Sequence, residues 1–456
     1  MTSALKKKML HFLDHLTGDK VVWIILLMLM LLSVLFIFSS SSRLTTANVS
    51  RVDIMLEHLR IVGLSLVLVI AIYNIKSIDF FRKLSRWGFV ASLGLLIFLN
   101  IKGVEINGAV RFFYIGGFQF HVFEVVKIAM MMYLAWAIDM LETREQTLLD
   151  RVPWLSEKLQ NKKWRQVVFL YAPFLITILL VMRGSNTTAL FLAMLMIITI
   201  AVGTGEWKLL VELGTVLLVA VFAVYSIYNI SKNHGDNPPK FQRVGTAIGR
   251  VLSGDMVKEY HNATTQEDRQ KALDKLRQPY SARIAIHQGK ILGKGPGQST
   301  QRYVVPDISE DYMFSFIVEE YGWWLSMFVV MLYLSLLARG TLIIKNCANN
   351  IFAKSAIFGL VLLISGQAFV HIFVNMDPGI LTGQTLPLLS HGSFAFICFS
   401  GAFGIILSIS RIANRGMARA SKNAEPLLAP APETDDTVSE GLSDLEEFES
   451  NESDEL

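Results

Sequence analysis

Three groups of residues in this sequence have the types and spacing to do chemistry. The first is Asp311, which follows Ser309 and Glu310 and precedes a long apolar run opening at Tyr312. Ser309 is a good helix N-cap, so both acids are expected in the first turn of a membrane helix, where the helix dipole favours negative charge and the membrane surface is close. Position alone favours a capping role, although a carboxylate there could also serve as general base towards a lipid headgroup. The second group is the turn Gly289-Lys-Ile-Leu-Gly-Lys-Gly-Pro-Gly297, with Lys294 inside it. Its glycines allow sharp turning and close approach to an anion. The spacing matches neither the dinucleotide nor the P-loop fingerprint, so a structural turn is the better reading. The third is Glu124 with Lys127, three apart in an apolar stretch and hence on one helix face. At such depth a structural ion pair and a substrate-cavity lining stand evenly.

Weaker candidates surround these. Arg111 could bind phosphate oxygens bidentately or merely anchor the chain at the interface. Glu319 and Glu320 lie two turns beyond Asp311, one expected to face a cavity and the other a partner group. His371 and Asn375 share a face and could be packing groups or ligands. No His or carboxylate set has metal-ligand spacing, so no cofactor is required, though a divalent cation could assist. Cys347 and Cys398 are the only cysteines, which argues against a disulfide framework or thiolate metal site.

The elements that must position these residues are membrane helices. Of 456 residues, 52% are hydrophobic and only 18% charged, with mean hydropathy +0.45, far from the balance of a soluble domain. Apolar runs at Val21–Ser39, Leu59–Ile75, Gly88–Ile101, Val122–Leu141, Gln166–Met182, Thr188–Gly203, Trp207–Ile230, Tyr312–Ala338, Ile351–Met376 and Gly392–Ile412 give about ten spans of roughly 20 residues. Lipid leaves no partner for unpaired backbone groups, and the runs lack barrel-strand alternation. The expected fold is therefore an all-α integral membrane protein with about ten transmembrane helices and one large extracytoplasmic loop between spans seven and eight.

Basic residues set its orientation. Lys76, Arg82, Lys83 and Arg86, then Arg144 to Arg165, then Arg339, Lys345 and Lys354 fall on one side with the N-terminal lysines, which makes that side and both termini cytoplasmic. The expected organisation is a cytoplasmic segment 1–20, a polytopic domain 21–412 that includes the external loop 231–311, and a tail 413–456. The tail is acidic and poor in apolar residues, so it is expected to be disordered in the cytoplasm.

With these residues in view, the chain resembles the FtsW and RodA (SEDS) family of cell-wall polymerases. The stretch Gln278 to Ser299, with its Ala-Ile pair and Gly-Lys-Gly turn, and the block Val305 to Gly322 resemble the family's most characteristic external loop, and Asp311 falls on its proposed catalytic aspartate. Gly103 to Lys127 resembles an Asn-Gly-Ala-x-Arg loop followed by a Glu-x-x-Lys helix. Gly379 to Gly392 resembles the Leu-Pro-Phe-x-Ser-Tyr-Gly-Gly loop and supplies Ser390, and Ser39 to Ser42 resembles a Ser-Ala-Ser run. Departures occur at His121-Val-Phe123, at Gly184 to Ala189, at Asp307 and Glu310, and at His391 and Ser393.

The resemblance implies polymerisation of lipid II, the undecaprenyl-pyrophosphate-linked disaccharide-pentapeptide, into glycan strands at the outer face of the bacterial inner membrane, by an inverting hexosyl transfer. Asp311 would be the base. Arg111, Glu124, Lys127, Gln278, Lys294, Gly295, Ser299, Glu319, Glu320 and Ser390 would contact substrate, Lys294 and the amides near Gly293 to Gly297 holding pyrophosphate. Gly295-Pro-Gly-Gln-Ser-Thr-Gln-Arg302 resembles the FtsW version of the loop and so implies division, at the septum. The implied partners are a single-span class B penicillin-binding transpeptidase, near spans eight and nine, and other divisome proteins, with no nucleic acid. A lipid II flippase and a non-catalytic divisome scaffold are the alternatives.

Overall fold

The computed structural model describes residues 18–41, 50–106, 109–115, 118–234, 265–305, 308–347, 350–376 and 383–424. The N-terminal lysines, Ser42, the centre of the long loop, Asp307, the segment 377–382 and the tail from 425 lie outside the described residues, as do the side chains of Arg111 and Gln278. The chain divides into two compact units, 1–413 and 414–456. In the second, the described part is the final stretch of a helix.

Ten helices of spanning length stand where the apolar runs require them: α1 Lys20–Ser40, α2 Arg51–Tyr73, α3 Ile78–Lys102, α4 Val122–Thr143, α5 Lys162–Met182, α6 Asn186–Thr204, α7 Lys208–Asn233, then, after the polar helix α8 Gln266–Gly289, α9 Met313–Asn346, α10 Ile351–Met376 and α11 Ser393–Ala424. Nine of them, among the described residues, are long and apolar enough to cross a membrane. The tenth is α4, whose Glu124, Lys127 and Asp139 lower its hydropathy. It is nonetheless the central helix, packed against α3, α6 and α10 and buried almost throughout from Met130 to Met140. A helix apolar on every side belongs in the middle of a bundle.

Two features depart from the sequence expectation. Helix α3 begins ten residues before its apolar window, because Arg82 lies inside the helix and reaches Asp139 of α4 at 2.6 Å as well as Glu145. Arg82, Lys83 and Arg86, which marked a loop, are helix residues, and Arg86 lies over the Trp136 ring. Between α3 and α4 the chain also forms a small antiparallel sheet, β1 Val104–Ile106, β2 Ala109–Ile115 and β3 Phe118–His121. The β-branched and aromatic run Ala-Val-Arg-Phe-Phe-Tyr-Ile suits a pleated surface. Phe113 stacks on Phe120, which in turn contacts Phe394 at the start of α11 (ring centroids 4.2 Å apart). The sheet thereby joins the C-terminal end of α3 to the start of α11.

Candidate active site

The Gly-rich loop before α9 is built around a break in that helix. Gly322 has φ 75° and ψ −179°, so α9 consists of a buried half-helix and a longer continuation. A break exposes orphan carbonyls on one side and orphan amides on the other, which must find partners in an apolar setting. The loop supplies both. The amides of Lys294 and Gly295 donate to the carbonyls of Glu319 and Glu320 (both 2.9 Å), while the carbonyls of Lys290 and Ile291 accept from the amides of Trp323 and Trp324 (3.1 and 3.3 Å). Glycine is needed for this approach: a Cβ on Gly293 would stand 2.3 Å from the Glu320 carbonyl oxygen.

Glu319 and Glu320, both fully buried, complete the buckle. Glu319 accepts from Lys294 Nζ (2.6 Å), Ser299 Oγ (2.5 Å) and the Thr300 amide (2.9 Å). Glu320 accepts from Ser39 Oγ at the end of α1 (2.5 Å), from the Ser299 amide and from Arg302 Nη1 (both 3.3 Å). Arg302 also donates to the carbonyls of Ser39 and Gly297. Each acid thus has a cation and several donors, the condition under which buried charge is tolerated.

Two turns upstream, three successive carbonyls of the segment before α9 are held by other elements. The His391 amide donates to Ser309 O (2.7 Å), Ser390 Oγ to Glu310 O (2.7 Å) and Asn375 Nδ2 to Asp311 O (3.1 Å). The helix itself starts at Met313, with Tyr312 as N-cap and no side-chain cap of its own, which corrects the expected role of Ser309. Its first amides are capped instead from α10: Phe314 N donates to His371 Nε2 (3.4 Å) and Ser315 N to Asn375 Oδ1 (3.0 Å). Asp311 therefore lies on the turn before the helix, backbone fixed and residue half-buried. Burial, opposed by the Glu57 carboxylate, lowers the pKa of the neighbouring His391 ring, so the ring is neutral at neutral pH.

Inside the bundle, Lys127 is almost inaccessible, and its three ammonium protons have three acceptors: Glu124 Oε1 (2.8 Å), Gln367 Oε1 (2.6 Å) and Gln384 Oε1 (3.3 Å). Gln384 Nε2 donates to Thr188 Oγ1 (2.8 Å), and Gln367 Nε2 to the Thr385 carbonyl (2.9 Å). Glu124 Oε2, by contrast, is buried with no hydrogen-bond partner among the described residues. No group of three or more His, Cys, Asp or Glu among the described residues could hold a metal ion.

The family model for FtsW/RodA/SpoVE, described as "Cell cycle protein", matches residues 19–415. The chain belongs to that family. FtsW/RodA/SpoVE relatives include a probable peptidoglycan glycosyltransferase FtsW of Caulobacter vibrioides, 24% identical over 72% of this chain and 73% of that one. Another, of Pseudomonas fluorescens, is 25% identical over 83% and 84%. Among solved structures, one described as "Structural coordination of polymerization and crosslinking by a peptidoglycan synthase complex" overlays with TM-score 0.57 at 21% identity, covering 86% of this chain and 98% of that one. The rod shape determining protein RodA of Thermus thermophilus does so with TM-score 0.55 at 20% identity, covering 87% and 98%. These likenesses establish the FtsW/RodA membrane fold.

Within that fold the sequence-predicted residues fall into separate clusters. Lys294, Gly295, Ser299, Glu319 and Glu320 belong to the buckle. Their donors and acceptors are engaged with one another, Lys294 and Ser299 with Glu319 and the loop amides with the carbonyls at the break. Ser390 holds the Asp311 turn through Glu310. Glu124 and Lys127 are paired as their spacing requires. Sequence reasoning missed Arg302, Gln367 and Gln384. Gln367 was within reach, since it precedes His371 by four residues and Asn375 by eight and so lies on the same helix face.

Proposed function

We propose that this chain is a membrane peptidoglycan glycosyltransferase that polymerises lipid II at the outer face of the bacterial inner membrane during division, with Asp311 as general base. The observation that carries this reading is the fixed turn: three carbonyls in succession are tied down, while the Asp311 residue keeps solvent access. A base must be held at its target yet remain reachable. In the reaction an acceptor sugar hydroxyl attacks the donor's anomeric carbon, the bond to pyrophosphate breaks on the opposite face, and the hydroxyl proton passes to Asp311. Charge on the departing pyrophosphate needs cations. Arg111 is the candidate, because Lys294 is paired with Glu319 and Lys127 with Glu124 and two amide oxygens. The FtsW names of the relatives support the division role. The synthase complex of polymerization and crosslinking among the structural neighbours supports a crosslinking partner, the class B transpeptidase of the family resemblance, for which we propose docking near α9 and α10.

A second reading, lipid II transport without bond formation, draws on the vacant oxygen of Glu124 inside the bundle. One experiment separates the two. Purified full-length protein, with its transpeptidase partner, is reconstituted into vesicles holding labelled lipid II. The polymerase reading expects glycan chains from wild type and at least about a hundredfold fewer from Asp311→Asn. Wild type that moves lipid II but never links it supports transport and ends the polymerase reading.

A further inference from the structure

His371 is buried in α10 and its two ring nitrogens face different elements. The Gln384 carbonyl oxygen can only accept, so Nδ1, 2.7 Å from it, carries the proton. Nε2 is then the acceptor, and it receives the Phe314 amide at 3.4 Å. Each contact leads on to a group already described. The Gln384 side chain sits between Lys127 Nζ and Thr188 Oγ1. Phe314 is in the first turn of α9, where Asn375 binds both the Ser315 amide and the Asp311 carbonyl. His371 is thereby a link, beside the direct bonds of Ser390 and His391, between the loop segment that bears on Lys127 and the turn that bears Asp311.

We propose that His371 is a positioning residue for the Asp311 base. By registering Gln384 against the first turn of α9, it sets where the Asp311 carboxylate stands relative to the Glu124–Lys127 pair. The inference rests on the reading of Asp311 as base. Its role calls for one donor and one acceptor, not for a titrating ring. The Phe314 contact lies beyond the usual range of strong N–H hydrogen bonds, so it is the contact that a substitution releases first. Asp311 is then displaced without losing its charge, and small displacements of a base are expensive in rate.

The test uses the full-length protein, reconstituted with its transpeptidase partner and labelled lipid II. His371→Leu removes donor and acceptor, and His371→Gln restores one of each without an ionisable ring. For His371→Leu, kcat per folded molecule is expected to fall about ten- to a hundredfold with KM within about twofold. For His371→Gln, most of kcat returns. A glutamine variant as slow as the leucine variant would overturn the proposal by pointing to ring chemistry, and so would a leucine variant with normal kcat. Should His371→Leu fail to accumulate, His371→Ala is read in the same way. Asp311→Asn, run alongside, keeps the two claims apart. If it is inactive while His371→Leu is normal, only the positioning role is lost; if it is active, the base reading itself is lost.

Discussion

Two buried ionic clusters lie in this bundle, and they are finished differently. Around the break in α9, Glu319 and Glu320 are saturated: each has a basic partner and further donors from the loop 294–302 or from α1. In α4, Lys127 is saturated by a carboxylate and two amide oxygens, but Glu124 keeps one buried oxygen without a partner among the described residues. At the break each carboxylate oxygen has a donor, which holds the architecture together, and the buried atom left over there is a donor, Arg302 Nε. A cluster with an open acceptor has something left to bind. Motif residues of similar chemical type therefore divide into those whose carboxylates are fully partnered and one, Glu124, whose carboxylate is not.

The largest effect is expected from breaking the saturated cluster on one side only. Glu320→Leu leaves Arg302 buried without its carboxylate, and removing one partner of such a pair costs about 3–5 kcal/mol. Thermal unfolding in detergent, with the amount of protein in membranes, should register this. The double variant Glu320→Leu/Arg302→Met should recover much of it. A single variant as stable as wild type would dissolve the distinction between the clusters.

Glu124→Gln probes the open cluster. Its amide oxygen can still accept from Lys127, so the stability loss should stay below half that of Glu320→Leu, while polymerisation drops by on the order of 10²-fold. If instead it unfolds as readily as the Glu320 variant, both clusters are structural and the cavity role of Glu124 is gone.

Smaller effects separate glycines inside the buckle. Gly293→Ala adds a Cβ 2.3 Å from a backbone oxygen, whereas at Gly295 the new Cβ meets only the Gln298 side chain at 3.8 Å. Both residues have positive φ, so Gly295→Ala should lose only the left-handed backbone penalty, roughly 1–2 kcal/mol, and Gly293→Ala distinctly more. Equal melting shifts would show that the loop is not clamped to the helix break.

The smallest effect calibrates the rest. Lys162 and Glu206 form an exposed ion pair at the far ends of α5 and α6 (2.5 Å), of a type worth about 0–1 kcal/mol. The hydrogen bond from Lys162 is the main cause that lowers the Glu206 pKa. A depressed carboxylate pKa contributes stability above the unfolded value and loses it as pH falls through the folded value. Lys162→Ala should therefore lower the melting temperature marginally at neutral pH and not at all in acid. A large shift at neutral pH would mean that the pair carries more than exposure allows.

The spans were legible because lipid imposes length and apolarity on every one of them, and the Glu124–Lys127 pair because spacing alone puts two residues on one helix face. What escaped depends on groups far apart in the chain. Ser309 satisfied the local rule for an N-cap, yet the amides of α9 are capped by His371 and Asn375 from another helix. Gly322 lies within a run long enough to read as one span, and only the backbone of the preceding loop reveals it as a break. The sheet at 104–121 is too short to show a period. Nothing local announced that Glu319 would be the partner of Lys294, since the two lie 25 residues apart.

The break at Gly322 also bears on how the protein is made. The buried half of α9 carries Glu319 and Glu320, and an isolated charged side chain deep in a bilayer costs roughly 3 kcal/mol on an insertion scale. The loop that neutralises them precedes α9 in the chain and so leaves the ribosome first. A chain inserted in order can present Lys294 and Arg302 before the acids arrive, and α9 then enters the membrane as the second half of a preassembled pair. Synthesis from N- to C-terminus gives these cations their head start.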